Sequence, residues 1–490
     1  MPGHRLSARI YRLGASLLVF RGRLRLVGAL LLAAACSGCA AFSPDSGMGL
    51  VNGIVAPEFK SEAVKVNGED VAGEAHARAA RLLGATLSAD GAVRIALLNN
   101  KGLQASYNDL GIAEAAMVEA SLPPNPTFSL SRLQTPVELD IERRIIMDIL
   151  ALATLPARAE LAAERFRQAQ LRAALETLRI GFETRQAYYR AIAAQELAAS
   201  LAQAVSAAES AAKLAKELGE TGAMNKLDQA REEAFYAELS TQLAAARQRA
   251  ASERERLIRA LGLQDAGALR LPQALPPLPN APRTLVAAET EAIRRRVDLK
   301  IVRIEVDTLA KTYGLTNATR FINLLEVAGI SRTQRETGGA AGTGGGFEVD
   351  FQIPIFDFGE ARVRRAGEIY LGAVNRLSEL AVNARSEARE GYRAYRSSYD
   401  IAMRYRRDVL PLRKTIADEA MLRYGAMQID VFALLTEARQ RIAANIAAIE
   451  AQRDFWLASS ALDAALIGGG AAAGENAART PNPAIAGSGD

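Results

Sequence analysis

Histidine, cysteine and tryptophan are nearly absent from this chain. In 490 residues there are two histidines, His4 and His76, two cysteines, Cys36 and Cys39, and one tryptophan. Each shortage removes a class of chemistry. A Ser-His-Asp or Cys-His arrangement would have to use His76, which falls in a polar stretch that reads as irregular. No disulfide is open to the chain beyond Cys39. No Cys/His cluster has metal-ligand spacing. The glycines Gly338-Gly339 and Gly344-Gly345-Gly346 lack the Lys-Ser/Thr of a phosphate-binding loop and read as a flexible strand-to-strand connection. No catalytic, cofactor-binding or metal-ligating set emerges, so an enzyme is not expected.

The N-terminus reads as an export signal. Arg5, Arg9, Arg12, Arg21, Arg23 and Arg25 precede the apolar run Leu26 to Ala35, which is too short to span a bilayer. Small residues then lead to Cys36-Ser-Gly-Cys39. A redox or metal CxxC would need a βαβ context or a second ligand pair, and neither is present. The pattern fits a bacterial lipobox, with Cys39 as the acylated residue and Cys36 as the second choice. Residue +2 is Ala40 or Ser37 and not Asp, which favours passage to the outer membrane. The formal charge of +5 includes the six leader arginines and no leader acid, so the rest of the chain stands near −1. The basic balance is therefore no argument for a nucleic-acid partner.

What the chain does contain, it contains twice. Ala157-Arg158 recurs as Ala361-Arg362, an offset of 204. At that offset Ala162 meets Ala366, Glu164 meets Glu368, Phe166 meets Tyr370, Glu183 meets Glu387, Arg185 meets Arg389 and Tyr188 meets Tyr392. Two equivalent hairpins from one chain point to a pseudo-symmetric wall and to assembly.

The expected order is a signal peptide over 1–38, a lipid-anchored arm over 39–85, and a first repeat over 86–270. A proline-rich linker over 271–283, a second repeat over 284–467 and a disordered tail over 468–490 follow. In the first repeat a helix from about Asp90 to Leu122 stops at Pro123-Pro124-Asn125-Pro126. Strands follow at Thr127–Leu133 and Val137–Leu150. A helix of some sixty residues then runs from Pro156 to Glu217, with the seam Leu171, Leu175, Leu178, Phe182, Tyr189 and Ile192 interrupted by Arg185. Gly219 to Gly222 turns it into a return helix, Ala223 to Leu263.

The second repeat has a helix over Arg283–Leu315 and strands at Arg320–Ser331 and Gly346–Phe356. A long helix bent at Pro411 and a turn near Gly425 to Ile429 lead to a last helix faced by Leu435, Ile442, Ile446 and Ile449. Along the strands Leu139, Ile141, Ile145, Met147 and Ile149 oppose Glu138, Asp140, Glu142, Arg144 and Asp148; Arg143 and Ile146 break the pattern. Phe347, Val349, Phe351 and Ile353 oppose Glu348, Asp350 and Gln352. That is a sheet apolar on one face and wet on the other. The acids Glu138, Asp140, Glu142, Glu348 and Asp350 either line a cation-favouring lumen or solvate an ordinary wet face.

Four strands cannot close a barrel alone, whereas three chains supply about twelve, enough for an aqueous passage. The expected fold is mainly α with a membrane β-barrel: long helical hairpins in a trimeric α-barrel, four strands per chain toward a 12-stranded β-barrel, and an internal two-fold repeat. A periplasmic adaptor, with one hairpin between lipoyl-like halves, and a coiled-coil lipoprotein scaffold without a pore are the alternatives.

Several motifs occur in order: Leu122-Pro-Pro-Asn-Pro-Thr127, Ala187-Tyr-Tyr189, Gln352-Ile-Pro-Ile-Phe-Asp-Phe-Gly359 and Gly391-Tyr392. Val409-Leu-Pro-Leu412 and Arg423-Tyr-Gly-Ala-Met-Gln-Ile-Asp-Val-Phe-Ala-Leu-Leu435 complete the set. On these the chain resembles the TolC-type outer-membrane efflux channels over residues 85 to 467. The resemblance implies a homotrimeric exit duct that a periplasmic adaptor and an inner-membrane pump open by docking at the helix tips. Those tips map to Gly219–Asp228 and Gly425–Thr436, with Gly222, Asp228, Gly425 and Asp430 as docking and gating residues. Met427 stands where the family usually has glycine, and Ala433 and Thr436 where some members carry aperture acids; Asp430 is the candidate substitute.

Overall fold

A computed structural model describes residues 42–264, 269–285, 287–322, 324–468 and 470. The signal peptide, Cys36, Cys39 and nearly all of the tail lie outside these residues. The chain divides into two compact units. One comprises the residues up to Ser46, Gly111–Phe166 and Ala310–Gly367; the other comprises Gly47–Leu110, Arg167–Leu309 and the residues from Glu368 on.

The elements in order are α1 (Met48–Phe59), α2 (Glu69–Leu83), α3 (Ala89–Asn99), α4 (Lys101–Ser121), β1 (Thr127–Gln134), β2 (Glu138–Asp148), α5 (Ile149–Glu220), α6 (Lys226–Leu261), α7 (Ala288–Arg295) and α8 (Val297–Ala318). There follow β3 (Leu325–Glu336), β4 (Gly342–Phe351), α9 (Glu360–Arg404), a π turn (Tyr405–Val409), α10 (Leu410–Gly425) and α11 (Val431–Ile467).

The first unit is built on one antiparallel sheet, ordered β1-β2-β3-β4. Glu138 pairs with Glu336, and Leu325 with Phe351, so the ladder between the two strand pairs is unbroken. The glycines 342 to 346, expected as a loop, lie inside β4. Strand β3 runs later than expected because the flat Ala328-Gly329 pair hides its alternation. Ser43 also belongs to this unit; its N–H donates to Oε1 of the buried Glu114 at 2.6 Å, and its hydroxyl donates to the same oxygen.

The second unit is helical, and its seams are the expected ones. Leu171, Leu175, Leu178, Phe182, Tyr189 and Ile192 are all buried. Arg185 is accommodated by lying 5.3 Å over the Phe59 ring and pairing with Asp90 at 3.3 Å. Farther along, Leu197, Leu201, Ala204 and Ala208 of α5 pack with Leu239, Leu243 and Ala246 of α6, and Ile442, Ile446 and Ile449 of α11 close the cluster.

Four further expectations fail, the first being the single helix expected from Asp90 to Leu122, which is divided into α3 and α4 at the extended residue Asn100. Residues 40 to 85 are not irregular, since α1 and α2 occupy much of that arm. Phe59 of α1 packs so closely on Gly181 that a Cβ there would collide with its ring. The helix expected over 283–315 is broken at Arg296, a buried residue whose guanidinium donates to Asp298 (2.6 Å), to Glu387 (2.5 Å) and to the Ala465 carbonyl. The long helix begins before Pro156 and runs through it, started by Asp148, whose carboxylate accepts the Ala151 N–H at 2.8 Å.

The proline-rich linker is a strap held by hydrogen bonds at intervals from Leu275 to Arg283. The Leu275 N–H donates to Glu196 of α5 (2.8 Å). The Pro276 carbonyl accepts from Gln452 and the Trp456 indole of α11. The Pro279 and Asn280 carbonyls accept the Tyr399 hydroxyl of α9, and the Arg283 N–H donates to the Tyr395 oxygen. Tyr395, Tyr399, Phe455 and Leu462 form the core beneath, with Leu278 pressed into it. Polar and apolar contacts thus fix one short segment to three helices.

Burial pushes the Glu196 carboxyl above its ordinary value of 4.5, and the Leu275 N–H pulls it part of the way back. A raised carboxyl contributes stability below its unfolded value, and that stability is lost as pH rises through the folded one. Glu196→Gln keeps the acceptor and removes the charge. Thermal melts across about pH 4 to 7 should show the variant gaining on the parent as pH rises; a pH-independent difference would refute the assignment.

Candidate functional site

Two features of the molecule are unusual enough to carry function: the sheet's two faces and the turns that end the long hairpins.

The strand register sorts the side chains cleanly. Phe128, Ile145, Gly329 and Phe347 form one row across the sheet, so they share a face. Leu130, Ile141, Met147, Leu325, Val327, Val349 and Phe351 lie on that face as well. It is exposed: Phe128 is 63% and Phe347 81% accessible. Toward the strand-connecting loops this face turns polar, with Arg132, Arg143, Thr333 and Arg335. Arg143, which breaks the alternation, donates to Thr333 at 3.3 Å.

The opposite face carries Glu138, Asp140, Glu142, Glu348 and Asp350, the five acids singled out in the sequence, together with Asp148, Glu326 and Glu336. Only Arg144 and Arg332 offset them among these strands. Arg332 grips both Asp140 oxygens, at 3.0 and 2.9 Å from Nε, and Arg144 pairs with Glu348. Asp148, Glu326 and Asp350 form a row of carboxylates across three adjacent strands, with no ion pair among the described residues. Alternation in β2 and β4 made most of this face legible. Glu326 was missed because alternation in β3 is weak.

Both hairpin turns close by the same hydrogen bonds. In the first, Gly222 is left-handed (φ 77°), and the Ala223 N–H reaches back to the Leu218 carbonyl at 2.8 Å. In the second, Met427 is left-handed (φ 58°), and the Gln428 N–H reaches back to the Arg423 carbonyl at 2.8 Å. Each is a Schellman closure with its residue of positive φ just past the helix. The next helices are then capped by Asn225, which accepts the Asp228 N–H (2.9 Å), and by Asp430, which accepts the Ala433 N–H (2.7 Å). Asp228 reciprocates by accepting from the Asn225 amide at 2.7 Å and holds Arg231 at 3.0 Å.

The expected turn residues therefore divide. Gly222 lies between the helices and Asp430 caps α11, while Asp228 lies in the first turn of α6 and Gly425 ends α10 with no positive φ. Met427, 94% exposed, takes the strained position in its place. Just above, the two hairpins are clasped. Arg439 of α11 donates to the buried Glu232 of α6 at 2.6 Å and lies 4.3 Å over Phe235. Sequence reading missed this clasp, since its members are far apart in the chain.

No family model matches the chain, and no curated protein matches it. Solved structures do match. CusC, whose crystal structures concern folding and transmembrane channel formation, aligns with a TM-score of 0.66 at 16% identity, over 79% of this chain and 94% of that one. The outer-membrane channel OprN aligns with a TM-score of 0.65 at 17% identity, over 89% and 98%. The outer membrane protein VceC of Vibrio cholerae aligns at 0.63 and 14% identity, over 78% and 96%.

The chain has the fold of the TolC-type outer-membrane channels. Among the described residues no helix is long and apolar enough to cross a membrane.

A methionine in the left-handed region costs about 1 kcal/mol relative to glycine. Met427→Gly should stabilise its turn by that amount, read as slower hydrogen exchange of the amides around 426–428. Unchanged or faster exchange would show that the methionine is not strained.

Proposed function

We propose that this chain is the outer-membrane exit duct of a tripartite efflux system: a lipid-anchored homotrimer, passive, opened by a periplasmic adaptor and an inner-membrane pump. The observation that carries the reading is the four-stranded sheet with one apolar exposed face and two unpaired edges, β1 and β4. In hydrocarbon every open backbone group costs several kcal/mol, so such a sheet is stable in a bilayer only as part of a closed ring. Three copies supply twelve strands, a ring wide enough for water. The acidic face then lines the passage, and the rows of Asp148, Glu326 and Asp350 join into a collar of nine carboxylates.

Two further observations support the parts of this reading. The anchor fits: Ser43 is held to Glu114, seven positions before the end of α4, about 10 Å along the helix axis. Ser43 is four residues along the chain from Cys39, a reach of at most about 13 Å. Acyl chains on Cys39 can therefore arrive at the level where β1 begins. The two hairpin turns, with matching closures and caps, support a duplicated hairpin, and in this reading Gly222, Asp228 and Asp430 are the residues an adaptor meets. Met427 takes the fourth position, for which Gly425 was the expected residue. A single-hairpin adaptor and a scaffold without a pore both leave the sheet unexplained.

Purified lipidated protein should run as a heat-labile trimer and pass cation-favouring single-channel currents in planar bilayers. Asp148→Asn, Glu326→Gln and Asp350→Asn together should move the reversal potential in a salt gradient toward zero. Monomers without conductance would end the duct reading, and anion-favouring currents would remove the acids from the passage. On the dry face, Phe347→Arg should cost about 2–4 kcal/mol per chain. The expected result is loss of the trimer from the membrane fraction; normal insertion would mean that this face does not meet lipid.

A further inference from the structure

The two long hairpins match with one discrepancy. Before the strap-bound region the spacing between equivalents is 204, as for Tyr188 and Tyr392. At the turns it is 205: Gly222 with Met427, and the cap Asn225 with the cap Asp430. One additional residue must therefore lie between Tyr392 and Arg423. The only irregularity in that interval is the π turn Tyr405–Val409, where the Leu410 N–H reaches the Tyr405 carbonyl five positions back. A π turn holds one residue more than an α turn and lets the helix beyond it continue in phase. Helix α5 has no such turn over its 72 residues.

We propose that this π turn is a one-residue insertion that acts as the hinge of the second hairpin. Its use in gating rests on the duct reading; its existence as a hinge does not. Three observations locate the bend. Pro411 follows directly and has no N–H, so a carbonyl in the turn before it loses its donor. None of the five π residues is fully buried, although Tyr405 packs at the margin of the core beneath the strap.

The third is packing on either side. Upstream, Tyr395, Tyr399, Ala402 and Met403 are buried under the strap, and Arg406, at the upper end of the π turn, donates to the Leu278 carbonyl at 3.4 Å. Downstream, α10 buries only Ala420 and leaves Leu412 and Leu422 exposed. The corresponding part of α5, residues 205–220, buries Ala208 and Ala215. A helix held firmly above, weakly below and weakened between bends at the weak point.

The test is hydrogen exchange on the full-length lipidated protein. Amides of residues 406–412 should exchange at least tenfold faster than those of 202–208 in α5. Deleting Arg407, an exposed residue in no ion pair among those described, should slow them at least tenfold and reduce the open fraction in bilayers severalfold with the trimer intact. Pro411→Ala, which restores a donor without changing length, should slow them by a smaller factor and decides the matter if the deletion does not fold. Equal exchange in the two helices of the parent protein, or fast exchange persisting in both variants, would overturn the hinge. A silent parent channel would count against the duct while leaving the exchange comparison decisive.

Discussion

Backbone hydrogen bonding at the edges of one small sheet constrains everything else in this molecule. β1 and β4 each have a single neighbour, and the face they share is covered with phenylalanine, leucine, isoleucine and valine. In water such a sheet would pair with any available strand. In a bilayer it has to be completed by other chains, because nothing else there can satisfy its amides.

The helical unit answers a different demand: long helices with little aromatic mass need close approach and good ends. Alanine supplies the approach in the cluster of Leu197, Ala204, Leu239, Ala246 and their neighbours. The ends are supplied by Asn225 and Asp430 at the starts and by Gly262 and Gly468 at the finishes. A Cβ at Gly262 would come 2.8 Å from the Asn99 carbonyl, and one at Gly468 would come 2.9 Å from Asp298. These two glycines are required by proximity as much as by their left-handed backbone.

Much of this was legible because it is periodic. Phe347, Val349 and Phe351 against Glu348 and Asp350 declare a strand with two characters, and the leucine seam of α5 declares a buried stripe. What was illegible depends on distant partners. Arg185 looks like a fault in the seam until Phe59 and Asp90 are beside it. Arg296 looks like one more arginine on a helix until Asp298 and Glu387 draw it inward and break that helix. Gly425 carries the usual turn signal, yet Met427 takes the left-handed position. The arm read as irregular because α1 contains Pro57 and almost no amphipathic asymmetry. Local rules located the elements; long-range electrostatics decided where they break.

The strap between the halves has a consequence for proteolysis. A protease binds its substrate as an extended strand and needs free amides and carbonyls to do so. Between Leu275 and Arg283 the carbonyls of Pro276, Leu278, Pro279 and Asn280 are already engaged by side chains of other helices, as are the N–H groups of Leu275 and Arg283. A segment with the composition of a cleavable spacer is thereby a poor protease substrate at those positions, and the residues on either side of it stay covalently one.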